Sequence, residues 1–109
     1  MPIPVKDSWS EGIDFTTLVR TVIAQIDLVK GYAIPMQGVV VTPAKAGVEA
    51  AVMTLGVMAV YNSGTSAIPT GSLVSTDGDG GVVAGGTSRI GIAVEDIPAQ
   101  GWGKIFVSP

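Results

Sequence analysis

Asp77-Gly78-Asp79-Gly80 opens as a calcium loop does, with carboxylates at alternate positions. A full EF-hand loop needs a third oxygen ligand at its fifth position and a glutamate at its twelfth. Those positions hold Gly81 and Ser88, so the ligand set is incomplete and the segment reads as a hairpin turn. Gly81 to Ser88 follows the outline of a phosphate-binding loop, with two spaced glycines ahead of Thr87-Ser88. Thr87 stands where that loop needs the lysine that neutralises the terminal phosphates, so a glycine turn between strands is the better reading. Glu95 and Asp96 are paired carboxylates, but neighbours on an extended chain point to opposite faces and cannot flank one bond. They read as solvated residues at a hairpin end. Ser–Lys chemistry lacks its Ser-x-x-Lys element, the nearest stretch being Thr42-Pro43-Ala44-Lys45. Trp102 lies between Gly101 and Gly103 and could stack on a sugar or a base, yet its place where a hairpin re-enters a sheet favours a core or subunit contact. The chain has no cysteine and no histidine, which excludes thiol nucleophiles and zinc–thiolate sites and removes the commonest general base. The residues therefore predict no enzyme, no cofactor and no metal.

The elements around these residues are short runs of Val, Ile and Thr between turn clusters, the pattern of an all-β domain with room for one short helix. Residues 1–12 read as an extended N-terminal arm, since Pro2 and Pro4 block regular structure and Trp9 is its large apolar anchor. Residues 13–109 then form a single β-rich domain, a small barrel or sandwich. Residues 16–30 carry apolar positions at helical spacing but are rich in β-branched residues, and read as an extended segment leading to a strand near Ile26–Val29. Val48–Tyr61 reads as two buried strands or one bent at Gly56, with a helix as the alternative. Strands are expected at Val39–Thr42, Ser72–Ser75 and Val82–Ala84, with a turn at Asn62-Ser63-Gly64. Ile90–Ile97 and Trp102–Val107 flank a four-residue connection and predict a hairpin, with Ile90, Ile92 and Val94 on one face.

Composition indicates what such a domain is for. In 109 residues, hydrophobic side chains make up 47% before the 15 glycines are counted, and charged residues only 14%. Typical domains hold about 45–50% apolar residues with glycine included and about 25% charged residues. A domain this small cannot hide that much apolar surface within itself. The surplus predicts an exposed patch, and hence an oligomer or a subunit docked on a larger body. The net charge of −3 argues against nucleic acid or an anionic membrane as the main partner. Neither Leu18–Val29 nor Val48–Tyr61 supplies the ~20 clean apolar residues of a membrane span. No basic stretch leads into an apolar run at the N-terminus, so a cytoplasm-like compartment is expected. For the interface, Ile3, Val5 and Trp9 of the arm, with Phe15 and Trp102, are the expected contacts, because aromatic residues favour interface cores. Removing residues 1–12 is expected to weaken attachment and leave the fold intact.

The layout also resembles the small capsid decoration, or cement, proteins of tailed bacteriophages. The likeness runs through Gly12-Ile13-Asp14-Phe15-Thr16, Ile26-Asp27-Leu28-Val29-Lys30-Gly31 and Gly38-Val39-Val40-Val41-Thr42-Pro43-Ala44-Lys45. It continues at Met58-Ala59-Val60-Tyr61-Asn62 and is closest at Gly86-Thr87-Ser88-Arg89-Ile90-Gly91-Ile92-Ala93-Val94. The resemblance implies a β-barrel-like fold without catalysis, made in the host cytoplasm and attached to the outer surface of the capsid. It implies the major capsid protein as partner, with homotrimers at local three-fold positions bridging its subunits and stabilising the shell. Two alternatives stand beside it. One is another virion part, such as a head-fibre base, a tail-tube subunit or a minor spike. The other is a small carbohydrate- or peptide-binding module using Trp9 or Trp102.

Overall fold

The computed structural model describes residues 3–4, 18–35 and 37–108. Within them the chain forms eight strands and no helix: β1 (Leu18–Ile23), β2 (Ala33–Ile34), β3 (Gly38–Val40), β4 (Glu49–Tyr61), β5 (Leu73–Thr76), β6 (Val82–Ala84), β7 (Arg89–Ala93) and β8 (Trp102–Val107). All ladders between them are antiparallel, in the order β2-β3-β4-β8-β7-β5-β6. The two ends of this path meet where the Ala33 amide donates to the Gly80 carbonyl at 2.9 Å, beside the β5–β6 turn. The sheet is thus a nearly closed barrel, and β1 is a spur that pairs with β4 outside the path.

The barrel interior draws a buried apolar residue from each of its seven strands, among them Ala33, Val39, Met58, Val74, Val82, Ile90 and Ile105. Each fully buried Val, Ile or Met contributes about 1.5–3 kcal/mol relative to exposure. A second cluster lies on the opposite face of β3 and β4, where Val40, Ala50 and Val52 meet Ile3, Ala24, Leu28 and Tyr32.

β4 is the long apolar run that sequence periodicity could not resolve, and it is one continuous strand. Up to Leu55 it pairs with β1, and from Gly56 onward with β8. Val19 pairs with Met53 while Leu18 pairs with Leu55, so Thr54 is an extra residue, a β-bulge. A single extra residue reverses which side chains face inward. Before it, Ala50 and Val52 pack in the outer cluster and Met53 faces the barrel; after it, Met58 and Val60 face the barrel. Gly56 follows with φ of +137°, a backbone region that suits glycine alone.

Two expectations are corrected. The strand expected near Ile26–Val29 lies earlier, at Leu18–Ile23, and Leu28 makes only an isolated bridge to Ala44. Asp27 explains the interruption: its carboxylate accepts the Ala46 amide at 2.9 Å, holding a connection rather than a ladder. The shared face of Ile90, Ile92 and Val94 is also broken. Leu73, Val74 and Ser75 pair with Ile92, Gly91 and Arg89, so Ile90 is skipped as a bulge and turns fully into the barrel. Ile92 is half-buried and Val94 is 44% exposed. The helical alternatives are overturned where residues are described, at 18–35 and 48–61.

Candidate interaction surface

The turn at Asn62 shows how polar side chains hold the barrel ends. Asn62 is fully buried. Its Nδ2 donates to the carbonyls of Ser66 (2.9 Å), Pro98 (3.2 Å) and Ile97 (3.4 Å), while its Oδ1 accepts the Gly64 amide at 2.9 Å. One amide thereby ties the end of β4 to the β7–β8 connection.

The carboxylates of Asp77, Glu95 and Asp96 serve similar ends. Asp77 Oδ1 accepts the amides of Asp79 (2.7 Å) and Gly81 (3.1 Å), and Oδ2 accepts the Ser63 hydroxyl at 2.6 Å. These bonds form the β5–β6 hairpin turn. Burial pushes the nearby Tyr32 hydroxyl above its usual range, and the charges of Asp79 and Asp77 add to the effect. Glu95 accepts the Lys104 amide at 2.9 Å. Asp96 accepts both the amide and the hydroxyl of Thr70, each at 2.9 Å, and this holds its carboxyl below the ordinary carboxylate range. Glu95 and Asp96 are exposed and engage different partners, which agrees with a solvated hairpin end.

The outer wall of the barrel carries the apolar surplus. Leu73 pairs with Ile92, Ile92 with Phe106, and Phe106 with Val57. Paired residues point to the same face, so four apolar side chains from β5, β7, β8 and β4 form one row across the outside. Leu73 is 50% exposed and the other three are half-buried. Further along β4 and β8, Lys104 stands opposite Ala59, and Trp102 opposite Tyr61. The Tyr61 and Trp102 rings meet edge to face at 5.6 Å and pack against the second cluster. A second apolar area surrounds the spur, where Val19, Ile23, Ile26 and Val48 are each about half exposed.

Of the five expected contact residues, Trp102 is half-buried beside Tyr61, and Ile3 is buried within the second cluster. Val5, Trp9 and Phe15 lie outside the described residues. The row itself escaped sequence reading because its members come from four strands whose pairing is not local. One signal was present: Ile105-Phe106-Val107 is apolar on both faces of a strand, which is unnecessary if one face meets only water.

A family model described as "Phage cement protein" matches residues 9–108. No curated protein matches the chain. Among solved structures, the N base of the head fiber protein gp8.5 of bacteriophage phi29 is similar, at a TM-score of 0.61 and 18% identity, over 85% of this chain and 95% of that one.

Proposed function

We propose a capsid-decorating role for this chain, which belongs to the phage cement protein family and is a structural protein of the phage virion. In this role it sits on the outer surface of the shell as a homo-oligomer, with trimers at local three-fold positions. There it bridges neighbouring major capsid protein subunits, without catalysis and without contacting nucleic acid. The observation that carries this reading is the row Leu73–Ile92–Phe106–Val57. Leu73 is half exposed and Ile92, Phe106 and Val57 are each partly exposed on the outer wall, and exposed apolar surface of this kind marks a docking face. Each contact need only be weak, because many copies on a repeating lattice gain through multivalency.

The test is saturable binding to expanded capsids that lack the protein. Leu73→Lys places a charge at the most exposed end of the row, so the barrel stays folded. The lost burial of one leucine, about 1.5–3 kcal/mol, weakens capsid binding by about tenfold or more. Unchanged binding by a folded Leu73→Lys protein counts against the row as the docking face. A second reading, the base of a head fibre, draws support from the fold shared with the phi29 head fiber base. A particle reconstruction separates the two: fibre density rising from each copy favours the base, and bare knobs favour decoration.

A further inference from the structure

β1 differs from every other described strand. The barrel strands pair on both sides or are closed by bridges such as Ala33–Gly80 and Asn62–Val82, whereas among the described residues β1 pairs with β4 alone. The direction of its backbone groups follows from the ladder. Ala24 donates to Val48, the residue next in register after Ile23–Glu49, so the even-numbered residues 20, 22 and 24 turn their amides toward β4. On β4 the neighbouring Ala51 turns its carbonyl the other way, to the Val41 amide, in keeping with this alternation. The amides and carbonyls of Val19, Thr21 and Ile23 therefore point outward.

Open edges are usually blunted by proline, by a bulge that twists the edge away or by charges set along it. The described edge holds Leu18-Val19-Arg20-Thr21-Val22-Ile23, with no proline and one charge. Arg20 shares its face with Val22, opposite Val52 and Ala50, and leaves Val19, Thr21 and Ile23 on the other face. Val19 and Ile23 are 51% and 54% exposed.

We propose that this edge pairs with itself: two copies join antiparallel across a two-fold axis through Thr21, and the sheet of one continues into its partner. Backbone geometry limits the choice of axis. Outward groups of one strand must face outward groups of the other, so the axis passes through a residue and not between two. An axis at Thr21 sets Thr21 against the partner's Thr21, and Val19 against the partner's Ile23. Every outward amide and carbonyl of these three residues then has a reciprocal partner. The half-exposed Val19 and Ile23 cover one another in two cross-strand pairs. An axis at Arg20 places two like charges directly opposite, which is unfavourable. An axis at Val22 pairs fewer strand residues. Among decorating copies on a shell, this contact ties neighbours directly to each other.

Cysteine cross-linking of the purified chain tests the register, because the native sequence contains no cysteine. Facing residues of a hydrogen-bonded antiparallel pair have Cα atoms about 5.5 Å apart, within the about 4.4–6.8 Å that a disulfide spans. Under mild oxidation Thr21→Cys yields a covalent dimer of about twice the 11.0 kDa chain mass on a non-reducing gel. Arg20→Cys and Val22→Cys yield several-fold less. In the second arm, Thr21→Pro deletes an outward amide and none of the β1–β4 bonds. It keeps the β-sheet circular dichroism and thermal unfolding of the native protein, while association by sedimentation weakens at least about tenfold. Equal or greater cross-linking through Arg20→Cys or Val22→Cys overturns the proposed axis. No dimer from Thr21→Cys, or collapse of the fold in Thr21→Pro, overturns the open self-pairing edge. The experiment uses no capsid, so its failure leaves the decorating role to be judged separately.

Discussion

Replacing Asn62 tests whether a single buried amide holds the end of β4 to the β7–β8 connection. Its side chain is fully buried and makes one accepted and three donated contacts, at 2.9–3.4 Å. Asn62→Ala removes them all and strips partners from the carbonyls of Ser66, Ile97 and Pro98. The Ile97 carbonyl keeps the Ile68 amide at 2.8 Å and the Pro98 carbonyl keeps the Gly101 amide at 3.2 Å, so the loss falls hardest on the Ser66 carbonyl and the Gly64 amide. At about 0.5–1.5 kcal/mol per net hydrogen bond, with more for a buried group left unpaired, the expected cost is about 3 kcal/mol. That is a large part of the about 5–15 kcal/mol that stabilises a typical domain. It lowers Tm by about 10–20 °C in a chain of this size. Asn62→Asp sharpens the test. The carboxylate can still accept the Gly64 amide but faces three carbonyl oxygens with no proton to offer. Burial and those oxygens raise its folded pKa above the unfolded value of about 3.9. The folded form then binds the proton more tightly than the unfolded form. The penalty is therefore complete above the folded pKa and is relieved as pH falls through it. Urea unfolding followed by circular dichroism from pH 7 to pH 4 should show Asn62→Asp gaining stability relative to Asn62→Ala. A cost below about 0.5 kcal/mol for Asn62→Ala, or a gap between the variants that ignores pH, would refute the clamp.

Three further outcomes are expected. Gly80 closes the barrel at φ +93°, where an added Cβ would overlap the Tyr32 ring; Gly80→Ala should cost about 1–3 kcal/mol in urea unfolding. Gly78→Ala, at φ +89° but with open space around it, should cost less, and equal losses would show that the Tyr32 contact is irrelevant. Asp96 has its carboxyl held low by the Thr70 amide and hydroxyl, so its contribution is present above the unfolded pKa and lost as pH falls through the folded one. In Thr70→Val the hydroxyl is gone and the amide remains, and the Asp96 midpoint followed by carboxyl NMR should move up toward the ordinary value; an unmoved midpoint contradicts the assignment. Ile3 is buried with Ala24, Leu28 and Tyr32, so Ile3→Ala should destabilise the chain by about 2–5 kcal/mol in thermal unfolding. An unchanged Tm would show that Ile3 adds nothing to that cluster.

The sequence by itself determined the local punctuation. Asp77-Gly78-Asp79-Gly80-Gly81 and Asn62-Ser63-Gly64 are turns in the structure because short polar side chains bond their own neighbouring amides, a matter settled within a few residues. The same local chemistry made the all-β class and the β7–β8 hairpin legible. Composition announced more apolar surface than one small core can hold. Tertiary structure alone decided where that surface lies. A bulge at Thr54 reverses the inward face of β4, and another at Ile90 turns that side chain inward while Ile92 stays out. Side-chain period in a strand is two residues, so one extra residue exchanges core for exterior, and its position depends on the partner strand rather than on neighbours in sequence. The row Leu73–Ile92–Phe106–Val57 and the open edge of β1 follow from those pairings. Their residues are far apart along the chain, and only barrel closure brings the row together and leaves β1 outside.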